Sequence, residues 1–230
     1  MRDPARYALT AFLALAASLL SPAILHSADD PAYGWQRSGG DFWGSRPEVH
    51  AGFSEKGIAV EMTLPPGTEV TYARDGSWAA DNALVQMSTD PVAQGVNEYL
   101  PGEAMFPASA TFVYGKDGLS IGTFQRFKLF FRQLWNGFRP SGIRLTYAWG
   151  TRLPVGSMYR LWEEETVFIL AGQEEAGKKI SAARNLANDF QAAYGRPPKG
   201  PVTRVIIDAR RPSGEKGPAQ TSITVRFPAD

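Results

Sequence analysis

Along most of the chain, hydrophobic and polar positions alternate with period two in a series of short runs. In GIAVEMTL, Ile58, Val60, Met62 and Leu64 alternate with Ala59, Glu61 and Thr63, which predicts a strand with one buried and one wetter face. Pro65-Pro66-Gly67 interrupts the run, and TEVTYA predicts a return strand that ends in a turn at Arg74-Asp75-Gly76. NALVQMST and FPASATFVYG predict further strands, separated by a Pro/Gly-rich loop around residues 95–107. In IRLTYAW, Ile143, Leu145, Tyr147 and Trp149 share one face, and VFILAG, apolar throughout, suits a central strand. The last run, ITVRF, points Ile223, Val225 and Phe227 inward. Many strands set apart by turn signals, with few helices, predict a mainly β fold: an antiparallel β-sandwich or jelly roll with two short helices.

Two segments switch to helical spacing. ANDFQAAYG stops at Gly195, with Pro197 and Pro198 behind it, a common helix ending. In GTFQRFKLFFRQLWNGF, Phe124, Phe127, Phe131, Leu134, Trp135 and Phe138 fall on one side, and Arg126, Lys128, Arg132 and Arg139 lie beside or opposite them. Such a basic amphipathic helix can cover one end of the sandwich and bury its aromatic rings. It can equally dock in a partner's groove or lie at a membrane surface, and Phe124, Phe127, Phe131, Trp135 and Phe138 would then make the contact.

The amino terminus has the pattern of a secretory signal over residues 1–28. Arg2 and Arg6 precede an apolar run at residues 8–20, and the small residues Ser21, Ala23, Ser27 and Ala28 follow. The run is short for a membrane span. Residues 29–56, rich in Gly and aromatics, show no period and read as an extended arm, with Trp35, Phe42 and Trp43 available to pack on the domain or meet a ligand. Residues 57–230 then form the sandwich domain. The expected location is periplasmic or secreted. Zero cysteines exclude disulfides, thiolate metal sites and lipidation through an N-terminal Cys.

Charge narrows the partners. The chain carries 24 Lys and Arg against 23 Asp and Glu, and beyond residue 28 the two balance. This argues against nucleic acid, which would draw a basic excess. Of two histidines, His26 sits at the signal boundary, which leaves His50 in the arm as the one candidate for a histidine-dependent triad or zinc site. No G-x-S-x-G elbow, Walker pattern or dinucleotide glycine pattern occurs, and no cofactor or metal is expected. Carboxylates remain. Glu163, Glu164 and Glu165 precede the VFIL strand, and Glu163 or Glu165 with Asp208 could do glycosidase-type acid and base work. A charge run in that position is more often solvated. Arg210 and Arg211, just beyond Asp208, oppose a cation there and suit an anionic partner.

The C-terminal half resembles the bacterial domain-of-unknown-function family number 3047. The resemblance rests on Tyr147-Ala148-Trp149-Gly150, Leu153-Pro154-Val155-Gly156, the strand ending at Gly172, Arg184-Asn185, Asp189-Phe190, Tyr194-Gly195 and the final runs VTRVIID and TSITVRF. It covers roughly residues 104–227. The family's acidic loop after the penultimate strand is here Asp208-Ala209-Arg210-Arg211-Pro212-Ser213-Gly214, and its Trp-rich N-terminal strands have no counterpart before Gly102. The resemblance implies a sandwich akin to carbohydrate-binding modules, with no established activity.

These readings make the chain a non-catalytic binding module of the cell envelope, with a saccharide as the expected ligand. Candidate ligand residues are Trp149, Arg152, Tyr159 and Trp162, with Arg184 and Asp208 as polar partners. On an alternating strand face, Trp149 is equally read as core. The alternatives are an interaction protein that docks on an envelope protein or membrane through the aromatic helix, and a hydrolase built on Glu163, Glu165 or Asp208.

Overall fold

A computed structural model describes residues 32–39, 46–78, 82–92, 106–115 and 142–228. The expected signal at 1–28 and the aromatic helix with Phe124, Phe127, Phe131, Trp135 and Phe138 lie outside these residues. Twelve strands are described: β1 (Gln36–Ser38), β2 (Glu48–Ser54), β3 (Gly57–Leu64), β4 (Thr68–Trp78), β5 (Asn82–Thr89), β6 (Ala108–Tyr114), β7 (Ile143–Trp149), β8 (Met158–Trp162), β9 (Glu165–Ala171), β10 (Ile180–Asn185), β11 (Val202–Arg211) and β12 (Ala219–Arg226). One α-helix, α1 (Leu186–Tyr194), joins β10 to β11.

The strands form two sheets. A seven-stranded sheet runs β1-β4-β11-β6-β7-β9-β8, and a five-stranded sheet runs β10-β5-β12-β3-β2. The period-two patterns determine what lies between them. Ile58, Val60, Met62 and Leu64 from β3 face Tyr72, Phe112, Leu145, Tyr147 and Ile207 from the larger sheet in one buried cluster. The result is the mainly β sandwich that the alternation predicts. Its pairings among the described residues are antiparallel except β7 with β9. That exception arises because β8 forms a hairpin with β9 and β9 then takes the position beside β7.

Three expectations change. Within the stretch 29–56, the described residues are sheet rather than extended arm: β1 joins the larger sheet and β2 edges the smaller one, while Trp35, 1% exposed, packs on the domain within the core. Arg74-Asp75-Gly76 is no turn, because β4 continues to Trp78 and absorbs an irregularity in its pairing with β11. The segment carrying Tyr159 and Trp162, to which the alternation assigns no element, contains the edge strand β8.

The helix reading over ANDFQAAYG agrees with α1. Asn185 caps it by accepting from the Asn188 N–H at 2.8 Å, and Gly195 ends it in the left-handed region at φ 71°. Its inward residues Leu186 and Phe190 are fully buried, and Phe190 meets Tyr114 edge-on at 4.7 Å between ring centroids.

Candidate functional site

Period two gives the larger sheet a second face, directed away from the core. Strand register places Asp208, Thr71 and Ser109 on it, with Arg210 beside Glu69 one step along. The same face carries Thr111, Thr146, Arg144 and Glu165 on β6, β7 and β9. Tyr159 and Trp162 on β8 pack against Ala148, Val167 and Ile169 at the far end. An aromatic-edged apolar patch thus lies at one end of this face and a charged cluster at the other.

The charged end is tightly bonded. Asp208 accepts from the Thr71 hydroxyl at 2.7 Å and from Arg210 Nε at 2.7 Å. Arg210 also reaches Glu69 at 2.9 Å, so one guanidinium bridges two carboxyl groups. Burial first, and then the Asp208 charge, push the Glu69 carboxyl up to about 7, against the opposing pull of Arg210. Asp208, then Glu69 and Glu165, hold the Arg210 guanidinium above its ordinary value, against the effect of its own burial. Glu165 thus acts across the two intervening strands β6 and β7.

In the middle of the face, Glu165 accepts from Thr146 at 3.0 Å and pairs with Arg144 at 3.5 Å, both side chains nearly buried. Thr146 and Thr111 share a hydrogen bond at 2.9 Å. These threonines link Glu165 to the centre of the sheet. The run 163–165 is therefore not uniformly solvated: Glu163 is exposed, but Glu164 and Glu165 are buried.

Of the residues expected to bind ligand, Tyr159, Trp162 and Asp208 share this outward face. Trp149 does not. Its ring lies in the core at 1% exposure, as the alternation of β7 dictates, so it offers no stacking surface. Arg152 is exposed in the turn after β7. Arg184 is committed elsewhere: its Nε and Nη2 donate to Asp189 at 2.9 and 2.7 Å, and its guanidinium lies over the rings of Tyr147 and Phe168. The Tyr147 hydroxyl donates to the same carboxylate at 2.6 Å, and burial, then Asp189, hold the phenol well above its ordinary range. Arg184 is thereby a clamp between α1, β10 and β7 rather than a ligand contact.

Sequence reasoning missed Glu69, Thr71, Arg144 and Thr146 as site members. The available signal was their parity: each lies at an outward-facing position on its strand. Which strands are neighbours is not written in that parity. His50 lies on β2, exposed and 3.3 Å from Glu48, on the other sheet, far from these groups in the strand order. Among the described residues, no group of three or more His, Asp or Glu is arranged to hold a metal ion.

Comparison with known proteins accords with the C-terminal resemblance. Residues 105–216 match the model of the family described as Protein of unknown function (DUF3047). No curated protein matches the chain. Among solved structures, the catalytic domain of Humicola grisea Cel12A, in complex with a soaked thio cellotetraose, is 11% identical, with 84% of this chain and 92% of that chain covered at a TM-score of 0.40. Endoglucanase cel12A from Rhodothermus marinus is 8% identical, covering 86% and 94%, at 0.42. The enzymatically active domain of bacteriophage CBA120 tailspike protein 4 is 9% identical, covering 90% of this chain and 22% of that one, at 0.34. Likeness of this degree carries no argument about activity or substrate.

Proposed function

We propose that this chain is an exported, periplasmic or secreted, cell-envelope module that binds an oligosaccharide along the outward face of its seven-stranded sheet. One observation carries the reading: Tyr159 and Trp162 share that face with the half-buried Thr111, Asp208 and Arg210, and the buried Glu165 and Thr146 brace the sheet between them. Aromatic rings stack on the apolar faces of sugar rings, and carboxylates and guanidinium forks pair with hydroxyls. From β8 to β11 the face crosses four strand spacings of about 4.8 Å, or roughly 19 Å, which is room for several sugar units. Export rests on the basic start, short apolar run and small residues before Asp29.

The test is retention of the labelled mature domain on an oligosaccharide array, followed by titration of Trp162→Ala and Tyr159→Ala. Each substitution should weaken binding at least tenfold while the variant keeps a single cooperative thermal unfolding transition. An array with no retained saccharide, or unchanged binding by both variants, overturns the reading.

A second reading, hydrolysis at this face, is favoured by one group. A Glu69 carboxyl held near 7 beside the Asp208 carboxylate is half protonated at neutral pH and can donate a proton to a glycosidic oxygen. Chromatography of whichever saccharide the array retains decides between them. Cleavage lost in Glu69→Gln with binding kept supports hydrolysis, and an intact saccharide refutes it.

A further inference from the structure

The sandwich has a second outward face, on the five-stranded sheet, and it carries a groove of about 430 Å³, within the range of small-ligand pockets. Register explains its shape. One row across four strands reads His50, Glu61, Ser222 and Ser88, and a second reads Glu48, Thr63 and Gln220. The two serines, hydrogen-bonded to each other at 2.8 Å, are short and make the floor. The longer Glu48, His50, Glu61 and Gln220 side chains form the walls.

The lining chemistry selects a ligand class. Among the described residues it holds two carboxylates and no Lys or Arg. A third carboxylate, Asp90, lies beside it and accepts from the Gln220 N–H at 2.8 Å. Lys178 and Lys179, at the head of β10, are not in the lining, and Lys178 is bonded to the Glu174 carbonyl. Hydroxyl, amide and imidazole groups supply the remaining polar surface, and no Phe, Tyr or Trp lines the groove among the described residues. A ligand there is recognised by positive charge and hydrogen bonds rather than by ring stacking. A divalent cation fits less well, because the described carboxylates and imidazole do not gather into a three-ligand set.

We propose that this groove binds an amine-bearing saccharide, with its ammonium between Glu48 and Glu61 and its hydroxyls over Ser88, Ser222 and Gln220. The site is independent of the seven-stranded face, and the two faces together would make the module bivalent.

Calorimetric titration of the full chain with a glucosamine trimer, its N-acetylated counterpart and spermidine tests this. The glucosamine trimer should bind, at least tenfold more tightly than either other probe, and should weaken with added salt. Glu61→Gln, at an exposed position, should reduce that binding at least tenfold with an unchanged melting temperature, and Trp162→Ala should leave it unchanged. No heat with the glucosamine trimer, equal binding of the acetylated form, equal binding of spermidine, or wild-type affinity in Glu61→Gln overturns the proposal. Loss of binding in Trp162→Ala alone moves the amine ligand to the other face, which sinks this site and leaves the first reading standing.

Discussion

Replacing Asp189 with Ala probes the bond that ties the helix to both sheets. In the native fold its carboxylate, 14% exposed, accepts from the Tyr147 hydroxyl and from two nitrogens of Arg184. Tyr147 is fully buried, so the truncation strands a phenol O–H away from water at a cost of about 1–3 kcal/mol. Arg184 is 30% exposed and can turn part of its charge toward solvent, which keeps the loss below the ~3–5 kcal/mol of a fully buried broken pair. The sum is about 3 kcal/mol. Tyr147→Phe removes one hydrogen bond and leaves Asp189 paired with Arg184, for about 1 kcal/mol. In the double variant no phenol is stranded, so the two effects should fall short of additivity by about 1 kcal/mol or more. Urea unfolding followed by tryptophan fluorescence measures all three, with m-values checked for constancy. An Asp189→Ala chain within 0.5 kcal/mol of wild type, or strictly additive effects, would refute the clamp.

Two further outcomes follow from the same structure. Phe190→Ala empties a fully buried ring site between α1 and Tyr114 and should cost about 3–5 kcal/mol in the same unfolding assay, whereas Arg152→Ala, at an exposed turn position, should stay within about 0.5 kcal/mol. Glu69 has a folded pKa of about 7, above its ordinary 4.5, so its proton-linked stability is fully present below 4.5 and is lost as pH rises through about 7. Its side chain is 42% exposed, and solvent screening reduces the effect to about 1 kcal/mol. Glu69→Gln should accordingly flatten stability between pH 5 and 8, and a wild-type stability that rises over that window would contradict the raised value.

The alternation of β3, β7 and β12 was legible because burial on one side of a sheet imposes period two on the residues themselves. The same holds for α1, whose Asn185 cap and Gly195 stop are local backbone chemistry. Local patterning also puts Trp149 on the inward face of β7, where its ring serves the core and not a ligand. Strand neighbourship was not legible, since hydrogen bonds between backbones are indifferent to side-chain identity. Gln36–Ser38 and Glu48–Ser54 looked like an arm because each is half exposed and lies at a sheet edge, where only one face needs apolar residues. Asp208, with Arg210 two residues on, reads locally as a poor cation site. Only the sheet order brings Glu69 and Thr71 from β4 alongside, where burial and the charge of Asp208 raise the Glu69 carboxyl against the pull of the shared guanidinium. Sequence by itself determined which residues of a strand share a face. Tertiary pairing decided which charges meet on them, because contact across a sheet joins residues more than a hundred positions apart.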